Sequence, residues 1–200
     1  MSITADPTVD YYSRNAARYF QSTVELDMSA LYDRFLRYLP KSGHILDAGS
    51  GSGRDTLAFL KMGYRVTAFD ASPEMAALST KLTGVRTRVS TFKAFRETEQ
   101  YDGIWACASL LHVPEAELPA TLNQLHWGLK IRGALYASFR EGTGEHHSNS
   151  GRHFTDLTVT AFQSLLNIVP GLRLGESWNN VASNSDGTLV PWLNVIAVRD

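Results

Sequence analysis

Apolar residues recur along the chain with two spacings, one typical of helices that cover a core and one typical of buried strands. Helical spacing predicts six helices. Four have both bounds, namely Asp6-Pro7 to about Phe20, Met28 to Leu39, Ser72-Pro73 to about Leu82, and Leu157 to Ile168. Two have only a start, one after Gly53 and one at Pro114. Apolar runs predict strands at Ile45-Leu46, RVTAFD, Arg86 to Thr91, YDGIWACA, ALYASFR, LRLGESW and PWLNVIAV, the last two around a polar 179–188 loop. Because strands and helices alternate, the order predicts a doubly wound, mostly parallel α/β sheet with helices on both faces.

The turn after the first predicted strand is rich in glycine. In HILDAGSGSGRDTLAF, from His44 to Phe59, glycine stands at positions 49, 51 and 53. Glycine weakens regular structure, so this spacing indicates a backbone that needs positive φ or approaches a ligand closely. A helix that begins at such a turn directs free N–H groups and the positive end of its dipole at the ligand.

Spacing separates the ligand classes that use turns of this kind. A phosphate-binding P-loop requires Gly-Lys-Ser/Thr at its end, whereas this turn ends Gly53-Arg54-Asp55. A dinucleotide fingerprint places its third glycine three residues after the second, where this chain has Arg54. The spacing therefore disfavours NAD and leaves it as an alternative.

An acidic residue ends the next predicted strand. RVTAFD closes on Asp70, beyond the glycine turn in sequence. In dinucleotide folds a carboxylate at this strand end accepts hydrogen bonds from the ribose hydroxyls. We therefore expect Asp70 to bind a ribose, with a helix-capping or solvated carboxylate as the structural alternative.

The pattern D-x-G-x-G-x-G from Asp47 to Gly53 resembles motif I of the class I S-adenosylmethionine-dependent methyltransferases. The run YDGIWACASLLHVP is similar to the fourth motif of that family. The resemblance covers nearly the whole chain and is closest to small single-domain members, including the tellurite-resistance type. It implies a Rossmann-like, seven-stranded sheet whose last strand is antiparallel. It also implies one domain over residues 1–200, with N-terminal helices in residues 1–40 covering the cofactor.

The resemblance further implies which residues contact S-adenosylmethionine. They are Tyr12, Tyr19, Asp47, Gly49, Ser50, Gly51, Gly53, Asp70, Ala71, Met75, Phe92, Cys107, Ala108 and Ser109. Simple packing is the alternative for the two tyrosines, and core packing for Met75. Relatives commonly carry an acidic residue near the adenine at about Ala94, so here we expect backbone groups around Phe92 to replace it.

The remaining reactive side chains suggest no nucleophile and no metal site. Cys107 has no basic partner nearby in sequence, and we expect it to be a buried apolar residue. His146-His147 lacks further ligands at metal-binding spacing. The polar, glycine-rich segment from Glu141 to Arg152 is expected to be a mobile loop that acts as a lid over the substrate mouth. His112 is either a near-surface histidine or a substrate contact.

The amino-acid composition argues against nucleic acid and membranes as binding partners. With 19 Lys+Arg against 20 Asp+Glu, the chain offers no strong field for nucleic acid or an anionic membrane. It shows no signal-peptide pattern and no apolar run of bilayer length, and its single cysteine fits the cytoplasm.

These features together predict a methyltransferase that acts on a small-molecule or inorganic acceptor. No catalytic residue is assigned, because methyl transfer from a sulfonium chiefly requires orientation. His112 or His153 would serve as a base if the acceptor carries a proton. The alternatives are a non-catalytic S-adenosylmethionine-binding protein and, less favoured, a nicotinamide-dependent oxidoreductase. The acceptor and the oligomeric state stay open.

Overall fold

The computed structural model describes residues 6–183 and 188–200. Its α-helices are α1 (Pro7–Arg14), α2 (Ala16–Thr23), α3 (Ser29–Leu36), α4 (Arg54–Lys61), α5 (Pro73–Thr83), α6 (Leu118–Gly128) and α7 (Val159–Ile168). Its strands are β1 (His44–Ala48), β2 (Arg65–Asp70), β3 (Thr87–Val89), β4 (Tyr101–Ala106), β5 (Leu129–Arg140), β6 (Gly144–His147), β7 (His153–Asp156), β8 (Leu172–Ser183) and β9 (Leu189–Arg199). Three short 3-10 turns, at Phe92–Ala94, Leu110–His112 and Glu115–Glu117, complete these elements.

Seven of these strands form one sheet in the order β3-β2-β1-β4-β5-β9-β8. Strand β1 pairs in parallel with β2 and β4, while β9 runs antiparallel to both β5 and β8. The predicted doubly wound sheet with an antiparallel last strand is therefore confirmed. The strand order reverses at β1 and β4, and in open α/β sheets ligands bind beyond the carboxyl ends of the strands at such a switch point.

Apolar side chains cover the sheet on both faces. The sequence of β4 is a continuous apolar run because the strand is buried on both faces. Ile104 packs in the core on one face of the sheet, and Trp105 packs in the core on the other. Helices α6 and α7 cover the first face with Leu122 and Phe162. Helices α3 and α4 cover the second, with Phe35 among their buried residues. None of the helices in residues 6–183 and 188–200 is long and apolar enough to cross a membrane.

The N-terminal helices differ from the prediction in their bounds. The helix expected to run to Phe20 is interrupted at Asn15, whose φ is −109° and ψ is 14°. The side-chain amide of Asn15 donates to the Tyr11 carbonyl at 2.8 Å, so it competes with the helical backbone at this point. The next helix ends at Leu36 and not at Leu39, which follows in a turn.

The segment from Glu141 to Arg152 is not the structureless loop that its composition predicted. Strands β6 and β7 form an antiparallel hairpin, with Gly144 opposite Asp156 and His147 opposite His153. The side chains of β6 are exposed, so its sequence carries no apolar pattern; the partner strand supplies the buried residue Phe154. The predicted polar 179–188 loop is also wrong in part, because β8 continues to Ser183, while residues 184–187 lie outside the described residues.

Candidate active site

A cavity of about 410 Å³ opens at the switch point of the sheet, with residues of α1 and α2 in its wall. Eleven of the predicted cofactor residues line it, namely Tyr12, Tyr19, Gly49, Gly51, Asp70, Ala71, Met75, Phe92, Cys107, Ala108 and Ser109. The wall continues through Thr8 of α1 to His112, His147 and His153. The cavity therefore joins the carboxyl ends of β1, β2 and β4 to the β6–β7 hairpin.

The glycine turn adopts the left-handed backbone that its spacing predicted, with φ of 82° at Gly49, 53° at Gly51 and 81° at Gly53. A Cβ at Gly49 would lie 2.5 Å from the Cβ of Ser109, so this glycine lets the ends of β1 and β4 approach each other. A Cβ at Gly51 would instead face the ring of Tyr19 at 3.5 Å. Gly51 is thus the glycine that leaves space on the cavity side of the turn.

Three predicted cofactor residues, Asp47, Ser50 and Gly53, are not part of the cavity wall. The Asp47 side chain is buried and accepts a hydrogen bond from Thr56 Oγ1 at 2.6 Å. Ser50 Oγ and the Gly53 backbone both face Ser79 of α5. The family resemblance implied that all three contact the cofactor, whereas in the structure the side chains of Asp47 and Ser50 and the Cα of Gly53 pack against α4 and α5.

Gly53→Ala is expected to destabilise the protein more than Gly63→Ala. Both glycines have φ above 80°, where a Cβ costs about 1–2 kcal/mol. A Cβ at Gly53 would also meet Ser79 Cα at 2.9 Å, whereas nothing lies within 4 Å of one at Gly63. Overpacking should therefore add about 1–3 kcal/mol at Gly53 alone. Urea unfolding measures the difference, and equal losses in the two variants would contradict the close packing of this turn on α5.

Two backbone N–H groups, from the glycine turn and from the start of α5, hold the Asp70 carboxylate at the end of β2. One carboxylate oxygen accepts from Gly51 N at 2.8 Å, and the other accepts from Ser72 N at 2.9 Å. Burial raises the pKa of Asp70, and these backbone N–H groups oppose the shift. Each carboxylate oxygen has a further lone pair, so Asp70 keeps acceptor capacity for a ligand in the cavity that it lines.

The segment after β4 is clamped from both neighbouring strands. Ala108 has a φ of 50°, which is unusual for a residue with a side chain, and its N–H donates to Ser138 Oγ at 2.8 Å. Ser109 Oγ donates to the Ala48 carbonyl at 2.7 Å. Burial raises the pKa of Cys107 to about 12, so this thiol is neutral and unsuited to act as a nucleophile.

Helix α1 contacts both ends of the cavity through three polar side chains. Tyr12 Oη lies 2.8 Å from His112 Nε2, and His112 Nδ1 lies 2.6 Å from the carbonyl oxygen of His153. Thr8 Oγ1 accepts from the His153 N–H at 3.0 Å. Ser13 Oγ lies 3.0 Å from the hydroxyl of Ser72 beside Asp70. These bonds fix α1 to both ends of the cavity.

Aromatic contacts complete this side of the site. The rings of Tyr12 and Tyr19 meet edge to face at 5.0 Å, and burial raises the pKa of both phenols. The Arg152 guanidinium lies over the Tyr11 ring at 4.3 Å and 5.9 Å from the Tyr12 ring centre. Sequence reasoning left Thr8 and Arg152 out, because neither has a local pattern that indicates its contact with a distant segment.

A buried charged cluster lies beneath the glycine turn. Asp55 Oδ1 accepts from Tyr32 Oη at 2.5 Å and from Arg54 Nε at 2.6 Å. Asp55 Oδ2 accepts from Trp105 Nε1 and Arg54 Nη2, at 2.8 and 2.9 Å. Burial, reinforced by the negative charge of Asp55, raises the pKa of Asp47 to about 8. The cluster ties α4 to α3 and β4 just below the cavity.

The histidines of the hairpin do not assemble a metal site. His146 Nδ1 lies 3.5 Å from Asp156 Oδ2, and His153 Nε2 lies 3.2 Å from Glu145 Oε1. Among residues 6–183 and 188–200, no three His, Cys, Asp or Glu side chains are arranged to hold a metal ion. These side chains are paired with one another within or beside the hairpin.

Comparison with known proteins gives a match to one domain model and several solved structures with the same fold. Residues 45–133 match the model of a methyltransferase domain. The 1,6-didemethyltoxoflavin-N1-methyltransferase of Burkholderia thailandensis, solved with 1,6-didemethyltoxoflavin and S-adenosylhomocysteine, has a TM-score of 0.79 at 23% identity over 98% of this chain and 88% of its own. None of the curated proteins compared with the chain matches it.

Two further solved structures share the fold over most of their length. An S-adenosylmethionine-dependent methyltransferase of Methanosarcina mazei has a TM-score of 0.75 at 18% identity, over 87% of this chain and 99% of its own. A TehB-like methyltransferase of Corynebacterium glutamicum has a TM-score of 0.71 at 18% identity, over 96% and 100%. Residues 45–133 thus match a methyltransferase domain, and the chain as a whole has the fold of these S-adenosylmethionine-dependent methyltransferases.

Proposed function

We propose that the cavity holds S-adenosylmethionine beside a small-molecule or inorganic acceptor and that the protein transfers the methyl group between them. One observation carries this proposal. A single cavity runs from the Asp70 carboxylate to His112 and His153, with Thr8 and Tyr12 of α1 in its wall. Such a cavity gives two small reactants one shared space.

The residues on the sheet side of the cavity fit the cofactor. Asp70 offers acceptor capacity for ribose hydroxyls, and Gly51 leaves space that a Cβ would fill. Met75 and Phe92 give apolar surface for an adenine, and Lys93 stands near the position where relatives carry an acid. When bound, the sulfonium of S-adenosylmethionine supplies an activated methyl group. The protein then has to hold the reactants in line, which gives effective molarities of about 10^5 M or more.

The N-terminal cover supports an acceptor of small size. Helix α1 is bonded to the cavity rim at His112, His153 and Ser72, so a large acceptor would enter only after these bonds break. The structure from Burkholderia thailandensis contains 1,6-didemethyltoxoflavin together with S-adenosylhomocysteine, which also supports a small acceptor here. We therefore propose that residues 1–40 cover the cofactor and that the β6–β7 hairpin is the lid at the acceptor side.

Transfer of methyl label distinguishes the acceptor classes. The full chain is incubated with methyl-labelled S-adenosylmethionine and, separately, a small-molecule extract, bulk RNA and a protein mixture. Label is expected in the small-molecule fraction. Label appearing in RNA or protein at enzymatic rates would contradict a small acceptor. Cofactor binding without labelled product in any fraction would favour the non-catalytic binding protein.

Thr8→Val is expected to loosen the cover. Valine has nearly the same shape, but it leaves the His153 N–H without the acceptor that Thr8 Oγ1 provides at 3.0 Å. An unsatisfied buried donor costs about 1–3 kcal/mol, and about 1.4 kcal/mol corresponds to a tenfold change in an equilibrium. Native-state hydrogen exchange in residues 7–23 should therefore become about tenfold faster. Thr8→Ser keeps the hydroxyl and is the control; identical exchange in all three proteins would show that this bond does not hold the cover.

A further inference from the structure

We propose that Tyr12 and His112 form a proton relay, and that the methyl acceptor is a neutral nitrogen or oxygen group that loses a proton as it is methylated. This inference rests on the proposed methyl transfer in the same cavity. It goes further by naming the acceptor's chemical class and the two side chains that receive its proton. Both side chains line the cavity, one from α1 and one from the turn after β4.

The hydrogen bonds around His112 have a single consistent direction. The His153 carbonyl can only accept, so His112 Nδ1, 2.6 Å away, carries a proton and donates it. In a neutral imidazole the other nitrogen, Nε2, is then an acceptor, and the Tyr12 hydroxyl 2.8 Å away must donate to it. The Tyr12 oxygen keeps its own acceptor capacity, and this residue borders the cavity. A proton arriving at Tyr12 therefore has a path to His112.

The surroundings keep His112 neutral before the reaction. Burial is the largest cause that lowers the pKa of His112, to about 4, and the bond to the His153 carbonyl partly opposes it. The charged or titratable groups that face His112 are Tyr12 from α1, Arg140 from β5, and Arg152 and His153 from the hairpin. The two arginines also lower the pKa of His112. A neutral imidazole is the form that can accept a proton.

Three other titratable groups in the cavity wall have partners of their own. His153 Nε2 lies 3.2 Å from Glu145 Oε1 and 3.1 Å from Thr155 Oγ1. Glu117 pairs with Lys93 at 2.9 Å. Asp70 is fixed by backbone N–H groups at the opposite end of the cavity. Tyr12 with His112 combines an oxygen at the cavity, which keeps acceptor capacity beside Arg152, with a base behind it.

The proton and the electrons balance in this scheme. The acceptor's lone pair forms the bond to the methyl carbon, and the electron pair of the broken sulfur–carbon bond stays on sulfur. The acceptor's proton moves to the Tyr12 oxygen while the Tyr12 proton moves to His112 Nε2. The site loses the positive charge of the sulfonium and gains that of an imidazolium, so the net charge inside the covered cavity does not change. Opening of the cover then lets the proton leave His112 for water.

Arg152 assists the same transfer. Burial raises the pKa of Tyr12, and the charge and hydrogen bond of Arg152 oppose that shift. Its guanidinium therefore favours negative charge on the Tyr12 oxygen while a proton is in transit. This arrangement serves acceptors such as heteroaromatic N–H groups and hydroxyls. A thiolate, or an oxyanion such as tellurite that reacts through the lone pair of its central atom, does not have to lose a proton and would not use the relay.

Nuclear magnetic resonance of ¹⁵N-histidine-labelled full-length protein tests the relay without any cofactor or acceptor. At pH 7 the His112 ring is expected to be neutral with its proton on Nδ1, and to gain a second proton only below about pH 5, given its pKa of about 4. Tyr12→Phe should shift the His112 Nε2 resonance, and Tyr64→Phe, at a tyrosine outside the cavity wall, should leave it unchanged. A proton on Nε2 at pH 7 would overturn the proposal.

Kinetics with defined acceptors supplies the second test. Benzimidazole, hypoxanthine and 4-methylphenol represent the proton-bearing class, and sodium tellurite and selenite represent the anions. His112→Asn keeps a donor for the His153 carbonyl but removes the base, so kcat should fall about 100-fold with little change in KM. Tyr12→Phe should lower kcat in the same way, whereas Tyr64→Phe, at a tyrosine outside the cavity wall, should match the wild type. Label in the oxyanions alone, or kcat in His112→Asn within threefold of wild type, would overturn the relay.

The two proposals fail in distinguishable ways. Calorimetry with S-adenosylhomocysteine reports whether the cavity binds the cofactor, and this does not depend on His112 chemistry. Binding in His112→Asn that equals wild-type binding, together with the loss of kcat, supports the relay. A parallel loss of cofactor binding and kcat would instead assign His112 a structural role and overturn it.

Discussion

Asp55→Ala should lower the free energy of unfolding by about 3–5 kcal/mol, the usual loss when one partner of a buried charged pair is removed. The Asp55 side chain is only 8% exposed and accepts hydrogen bonds from Arg54, Tyr32 and Trp105. Alanine would leave the Arg54 guanidinium, itself 16% exposed, without its charged partner. It would also leave the indole N–H of the buried Trp105 without an acceptor.

Urea unfolding followed by circular dichroism measures this loss. Asp10→Ala is the matched control, because Asp10 forms an ion pair with Arg14 at 3.3 Å on the surface and its side chain is 43% exposed. Exposed pairs of this kind contribute about 0.2–1 kcal/mol. A loss below about 1 kcal/mol in Asp55→Ala would mean that the buried cluster does not stabilise the base of the cavity.

Asp70→Ala should weaken S-adenosylmethionine binding by about tenfold or more while the protein stays folded. Hydrogen bonds to a charged group contribute about 1.5–3 kcal/mol each, and about 1.4 kcal/mol is a factor of ten in affinity. The variant also removes the acceptor that fixes the Gly51 and Ser72 N–H groups, so the floor of the cavity should become less ordered.

Calorimetry with the folded variant measures the change in dissociation constant. Glu74→Ala is the control, since Glu74 is exposed, lies close in sequence and is outside the cavity wall. It should bind the cofactor as the wild type does. An unchanged dissociation constant in Asp70→Ala would assign this carboxylate a purely structural role at the end of β2.

The sheet and the cavity floor were predictable because their signals are local. The spacing of the glycines predicted a backbone with positive φ, and Gly49, Gly51 and Gly53 all have positive φ. The carboxylate at the end of β2 follows from the position of Asp70 at the end of an apolar run. Parallel order follows from the alternation of strand and helix, which the observed topology repeats.

The rest depends on contacts between distant segments. Tyr12 and His112 are 100 positions apart, and no periodic pattern indicates that they meet. Asp55 has the appearance of an ordinary acid in the first turn of a helix, and only its contacts with Tyr32 and Trp105 reveal a buried charge. Asp47 belongs to a ligand-binding motif, yet its side chain points into the packing beneath the turn, where Thr56 binds it. Side-chain direction at a tight turn cannot be read from motif spacing.

The cofactor assignment is tested most directly by titration of the full chain with S-adenosylmethionine, S-adenosylhomocysteine and NAD in a calorimeter. Asp70 at the end of β2 could bind the ribose of an S-adenosyl compound or of NAD. Arg54, however, stands where a dinucleotide fingerprint has its third glycine. Binding of both S-adenosyl compounds and no measurable heat from NAD is the predicted result. Tighter binding of NAD than of either S-adenosyl compound would contradict it.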